Sequence, residues 1–267
     1  MNGKRRGTTP RPPPVLVAAA VVAAALIIVP LFALVAQAPL DDFDQIYRSS
    51  VVRDALEISL ISSVGAAALC GIFGVPLAFL LARYDFPLKR LVRALVILPM
   101  VLPPVVGGTA LLLAFGRRGV VGESLYDATG FLLPYSIWGV ILANAFVALP
   151  FLVVTVYGAL NSLDGEAEAA GATLGASDLY ILTRITMPAI APSIAAGLVL
   201  CWARALGEFG ATVTFAGNLQ GRTQTLPLAV FVSLGSDRSV AVAMSLLLVA
   251  LSTAVLMLQR DRWWGQM

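Results

Sequence analysis

Six long apolar runs, separated by short polar stretches, alternate along this chain. The first, Val15 to Ala36, is an unbroken run of 22 residues. Further runs cover about 55–82, 91–115, 136–160, 189–215 and 239–258. About 20 apolar residues in a helix cross a hydrocarbon layer of ~30 Å. The pattern therefore predicts an all-α polytopic membrane protein with about six transmembrane helices. A secretory signal is the rival reading of the first run, since Ala36-Gln37-Ala38 resembles a cleavage site. The run exceeds the roughly 7–15 residues of a signal core, and Pro39 follows at once, so a retained helix is expected.

The breakers inside the runs carry information. The second run holds Gly65, Gly71, Gly74 and Pro76, small residues that let helices approach closely in lipid. The third holds Pro99, Pro103, Pro104, Gly107 and Gly108. Freed backbone groups are tolerated in a membrane only against protein or a water-filled path. The third run is thus either a pore-lining helix or an ordinary kinked packing helix. Asn144 and Pro150 interrupt the fourth. The fifth carries Arg204 and Glu208, four residues apart and so on one helix face. A structural ion pair is favoured there over contact with a transported ion. Gly207 and Gly210 flank Glu208-Phe209 and permit a break, and Phe209 is either a hydrophobic gate plug or a packed aromatic.

Composition supports the membrane reading. The chain is 59% hydrophobic and only 12% charged, with mean hydropathy +0.89, against about 25% charged residues in soluble domains. A net charge of +3 does not point to nucleic acid. Histidine is absent, which removes the commonest proton shuttle and metal ligand. Cys70 and Cys201 sit in separate apolar runs and read as packing residues. No cofactor is expected.

Lys and Arg set the orientation. With the N-terminus inside, the inner segments hold Lys4, Arg5, Arg6, Arg11, Arg83, Lys89, Arg90, Arg93, Arg184, Arg260 and Arg262. The outer segments hold Arg48, Arg53, Arg117, Arg118, Arg222 and Arg238. Both termini, the 83–93 turn and the polar segment 164–188 are therefore expected in the cytoplasm. The organisation is a basic tail at 1–14, a first transmembrane helix at 15–36, and a core at 55–260. Trp263 and Trp264 fit an interfacial anchor.

Segment 164–188 reads DGEAEAAGATLGASDLYILTRITMP. Ala170, Ala172 and Leu174 favour a helix. Gly175 can take positive φ and end it. Ser177 can cap a second helix with Asp178 at its positive end, and Pro188 is expected to separate that helix from the fifth span. Gly175, nine residues, then Ile185-Thr186-Met187-Pro188 resembles the cytoplasmic Glu-Ala-Ala loop of ABC importer permeases. Met187 replaces the motif Leu. The motif Glu position is Ala169, the two Ala positions are Ala170 and Gly171, and the nearest carboxylate is Glu168.

Ala203-Arg204-Ala205-Leu206-Gly207-Glu208-Phe209-Gly210-Ala211-Thr212, Thr225-Leu226-Pro227, Leu98-Pro99 and Leu102-Pro103-Pro104 are similar to the molybdate subgroup of these permeases. The likeness extends over about 55–260, and sulfate and tungstate permeases share most of it. It implies a homodimer in the cell membrane, two ATPase subunits below, and an extracytoplasmic oxyanion-binding protein. Contact with the ATPase subunit would fall to Glu168, Ala170, Gly171, Ala172, Leu174, Gly175, Ser177 and Pro188. The pore and gate candidates are Pro103, Pro104, Gly107, Arg204, Glu208, Phe209 and Gly210. No GxxxxGK[ST] loop is present, so ATP hydrolysis is expected on a partner. A secondary transporter or channel would call for inverted repeats with several buried charges. A membrane enzyme would need a buried catalytic cluster. Neither pattern is visible.

Overall fold

The computed structural model describes residues 13–257, and the basic tail at 1–12 and the Trp263-Trp264 pair lie outside them. Thirteen α-helices are described. They are α1 (Pro14–Ala36), α2 (Phe43–Arg48), α3 (Ser50–Arg83), α4 (Lys89–Val101), α5 (Pro104–Phe115), α6 (Gly122–Thr129) and α7 (Ile137–Ser162). Then come α8 (Glu166–Thr173), α9 (Asp178–Ile181), α10 (Met187–Leu206), α11 (Gly210–Phe215), α12 (Leu226–Ser233) and α13 (Arg238–Met257). No strand occurs among the described residues.

Five of these stretches are long and apolar enough to span a bilayer by themselves, α9 to α10 counting as one. The third expected span differs. It is two helices, α4 and α5, bent by 120° at Leu102-Pro103. The residue before a proline is driven out of the helical region. Here Leu102 and Pro103 both precede one, and both are extended (ψ 137° and 130°). Two consecutive residues of this kind end a helix rather than kink it.

Helix direction shows that the pair still makes one crossing. Gly65 of α3 lies against Ile141 of α7, and Gly74 lies against Leu149 and Leu152. Both numbers rise together, so α3 and α7 run parallel. The chain must therefore cross once between them, and α4 with α5 supply that crossing. α10 runs the other way against α3, since Gly71 meets Leu198 while Ser63 meets Trp202. These three helices enclose the main core, built on Ala66, Cys70, Leu152, Val156, Ile190 and Cys201. A Cβ at Gly74 would stand 3.0 Å from Leu149, which is how close the parallel pair packs.

The fifth expected span also needs revising. Pro188 does not separate the preceding helix from it. A π-helical turn, Leu182–Thr186, joins α9 to α10 without interruption. Met187 N–H donates to the carbonyl of Leu182, five residues back, and the wider turn absorbs the N–H that Pro188 lacks. At its far end the span stops at Leu206 and resumes as α11. Two expected loops contain helices of their own, α6 within 116–135 and α12 within 217–238. α12 carries Leu226, Leu228 and Ala229, all buried, and packs with Ile46, Val52 and Met244 in a second apolar cluster.

Candidate functional site

The two stretches singled out by sequence lie at different ends of α10. At its start, α8 crosses the α9–π turn. A Cβ at Gly171 would stand 3.0 Å from Ile185 and 3.4 Å from Ile181, so glycine sets the closeness of that crossing. α8 ends in a Schellman motif: Ala176 N–H donates to Gly171 and Gly175 N–H to Ala172. Gly175 takes φ +80°, the conformation a C-terminal stop needs. Ser177 Oγ accepts from Tyr180 N–H and caps α9.

Glu168 turns inward. Its carboxylate meets Arg83 at the end of α3 at 2.9 Å and accepts from the buried Thr186 hydroxyl at 2.5 Å. One side chain thus ties α8 to α3 and to the π turn. The carboxylate is committed within the chain rather than presented outward. Ala169, the motif's acidic position, is exposed together with Ala170 and Ala172. Leu174 is 88% exposed and Leu179 69% exposed, two bare apolar side chains around the α8–α9 corner. A cavity of about 360 Å³ opens between Phe79, Arg83, Glu168, Leu179 and Thr186. Pro188 is exposed at the start of α10.

At the far end of α10, Arg204 and Glu208 pair at 2.6 Å. They do so across the end of the helix, which stops at Leu206, and not along a continuous face. Glu208 is 2% exposed, and its other oxygen accepts from Ala211 N–H at 2.8 Å. This carboxylate therefore caps α11 and neutralises Arg204 together. The break itself is pressed against the break in the third span. A Cβ at Gly210 would stand 2.9 Å from Pro104 and 3.2 Å from the Val105 nitrogen. One at Gly108 would stand 2.8 Å from both the Ala211 oxygen and Thr214 Cβ. Gly107 lies under Phe146 in the same way. Pro103 and Pro104 are exposed, and Phe209 packs on Phe231 with ring centroids 5.2 Å apart.

A set of polar residues, of which sequence reading singled out only Asn144, lies beside the far end of α10. Ser59 accepts from Leu226 N–H, Ser63 from Trp202 Nε1, and Ser62 from Asn144. Asn144 Oδ1 in turn accepts from Thr212. Three serines on α3 and one asparagine on α7 thus hold α10, α11 and α12. Their spacing, 59, 62 and 63 within an apolar run, is one helix face and was the available signal. Among the described residues no group of His, Cys, Asp and Glu forms a metal site.

The comparisons with known proteins fit this geometry. Residues 74–262 match the family described as binding-protein-dependent transport system inner membrane component. The molybdenum transport system permease protein ModB of Mycobacterium tuberculosis is 42% identical over 229 residues, 86% of this chain and 86% of that protein. The sulfate transport system permease protein CysT of Escherichia coli K12 is 35% identical over 235 residues, 86% of this chain and 84% of that one. Among solved structures, a chain of a bacterial alginate ABC transporter in complex with its pentasaccharide-bound periplasmic protein superimposes with a TM-score of 0.72. It is 19% identical, with 93% of this chain and 92% of that chain covered, so it shares the fold. With its broken third and fifth spans and multi-pass helical core, the chain belongs to the binding-protein-dependent transport system inner membrane component family.

Proposed function

We propose that this chain is the permease subunit of an ATP-driven oxyanion importer, with molybdate as the substrate. The observation that carries the substrate is the 42% identity to a molybdenum permease over 86% of both chains, against 35% for the sulfate permease. Sulfate is the second reading, favoured by that same 35% relative. In the proposed assembly two copies pack together, two ATPase subunits bind the cytoplasmic face, and an outer binding protein delivers the anion.

The cytoplasmic face is the one bearing the 83–93 turn and segment 164–188. The excess of Lys and Arg in the inner segments supports that orientation. Coupling would run through α8 and α9. The exposed Leu174, Leu179, Ala170 and Ala172 offer an apolar corner outside the membrane with nothing among the described residues upon it. The clasp from Glu168 to Arg83 and Thr186 makes that corner rigid with α3 and α10, as force transmission requires. The broken helices supply the proposed gate. Pro103, Pro104, Gly107, Arg204, Glu208, Phe209 and Gly210 lie at or beside the two abutting breaks, where small rearrangements move α5 and α11 together.

Reconstitution tests the reading. In proteoliposomes holding this chain, its ATPase subunit and its binding protein, molybdate uptake should require ATP, with sulfate competing weakly. Anion uptake by this chain alone, driven by an ion gradient, would overturn it. Uptake of sulfate in preference to molybdate would select the second reading. A cysteine at Leu174 should cross-link to the ATPase subunit, and its failure to do so would remove the coupling assignment.

A further inference from the structure

The turn between α3 and α4 and the groove beside α4 form a second site, apart from the two abutting breaks. Three cations cluster where α4 begins: Lys89, Arg90 and Arg93 line a cavity of about 550 Å³ with Asp85, Phe86, Leu88 and Leu91. Lys89 donates to Asp85 at 2.8 Å, and this bond, with the ammonium's charge, holds the Asp85 carboxyl below its ordinary range. Asp85 is therefore charged, and the cavity keeps a net charge of +2. The charge sits at the N-terminal end of a 13-residue helix, whose free amides add positive potential. Like charges at that end destabilise the helix unless an anion offsets them.

Arg93 belongs to two cavities. It closes the basic one and also lines an apolar slot of about 80 Å³ with Leu81, Val96, Ile97, Val153 and Tyr157. Its guanidinium lies over the Tyr157 ring at 4.9 Å and donates to the Leu81 carbonyl at 3.1 Å. Its Nε is buried and has no acceptor among the described residues. From Lys89 to Ile97 is eight residues, or about 12 Å along the helix. The order is thus a basic mouth at the membrane face, a guanidinium one turn in, and an apolar slot deeper. Leu88, at φ +66° and 70% exposed, and Leu91 flank the mouth with bare apolar surface.

We propose that this mouth and slot bind one anionic phospholipid, its phosphate on Lys89, Arg90 and Arg93 and an acyl chain between α4 and α7. Free inorganic phosphate matches the charge and leaves the slot empty. An acidic protein segment matches the mouth and not the hydrocarbon groove that follows it. A lipid satisfies both parts in the order found. Because the lipid bridges α4 to α7, it steadies the inner half of the broken third span.

The purified full-length chain in detergent tests this by native mass spectrometry, with phosphatidylglycerol, phosphatidylcholine and inorganic phosphate offered separately. Phosphatidylglycerol should be retained and should raise the melting temperature, while the other two should do neither. A cation near a membrane surface is worth about five-fold in anionic lipid binding, so Arg90→Gln should lower retention about five-fold and Lys89→Gln with Arg90→Gln about 25-fold. Asp85→Asn, at a side chain 98% exposed, should raise it. Arg53→Gln with Arg118→Gln, on the other face, should leave it unchanged. Equal retention of phosphatidylcholine, equal stabilisation by inorganic phosphate, or indifference to both Arg90→Gln and Asp85→Asn would overturn the site.

Discussion

Glu168→Ala removes the clasp between α8, α3 and the π turn. The ion pair to Arg83 is partly open, with side chains 30% and 23% exposed, so it contributes at most ~1 kcal/mol. The Thr186 hydroxyl is buried, and its bond to a charged acceptor contributes ~1.5 kcal/mol. The two share one carboxylate and do not simply add, which leaves ~2 kcal/mol for the whole clasp. That is ~30-fold in a local opening equilibrium. Amide hydrogen exchange on α8, read by peptide mass spectrometry, measures it directly. Exchange across 169–176 should accelerate ~30-fold in Glu168→Ala. Thr186→Val, which spares the ion pair, should produce roughly half that free-energy change. Glu166→Ala, two residues earlier and exposed, serves as control and should change nothing. If Glu168→Ala and Glu166→Ala exchange alike, the inward clasp has no energetic content. Ala169→Glu places a carboxylate on the outward face, and it should alter ATPase coupling without altering exchange.

Gly175→Ala forces a side chain into φ +80° with open space around it, so the cost is purely conformational, ~1 kcal/mol, read as faster exchange at the end of α8. Removing Glu208 alone strands Arg204 and the α11 amide; Glu208→Ala should cost ~3 kcal/mol in unfolding, more than Arg204→Ala with Glu208→Ala together, and equal losses would refute the pairing. Gly108→Val drives a side chain into the Ala211 carbonyl, so folded yield and melting temperature should fall sharply, whereas Gly158→Ala, with nothing within 4 Å, should be silent. Asn144→Leu should cost only ~1 kcal/mol despite its two partners, since hydrogen bonds in membrane proteins average well under that each.

Apolar length alone was enough to find the spans, because hydrocarbon thickness fixes it. The six expected runs correspond to α1, α3, α4 with α5, α7, α10 with α11, and α13. The internal geometry was less legible. Pro103-Pro104 announced trouble, but a kink and a 120° break carry the same letters, and only packing of Gly108 and Gly210 across the gap decides between them. Pro188 was misread because a proline's missing N–H has two remedies, ending the helix or widening it, and the π turn is the second. α12 was hidden by its length, since Leu226–Ser233 is too short to cross a membrane and sits among polar neighbours. In the 164–188 segment the spacing from Gly175 to Pro188 was readable, as were the Ser177 cap and the positive φ. The destination of the Glu168 carboxylate was not, because Arg83 lies 85 residues away.

α1 contains no buried residue and meets the rest of the chain chiefly at α13, where Arg238 bonds Gln37. A helix that contributes so little to its own subunit's interior matters instead for bookkeeping of a topological kind. It is the first apolar helix among the described residues, and in the proposed topology its single crossing sets whether every later loop emerges inside or outside. Delete it and the start of α3 must be carried across with no preceding span. Otherwise the segment 83–93 is stranded on the face opposite the proposed one. The defect to look for in such a truncation is therefore a mixture of inverted and correct molecules, each with α3, α7 and α10 packed as before.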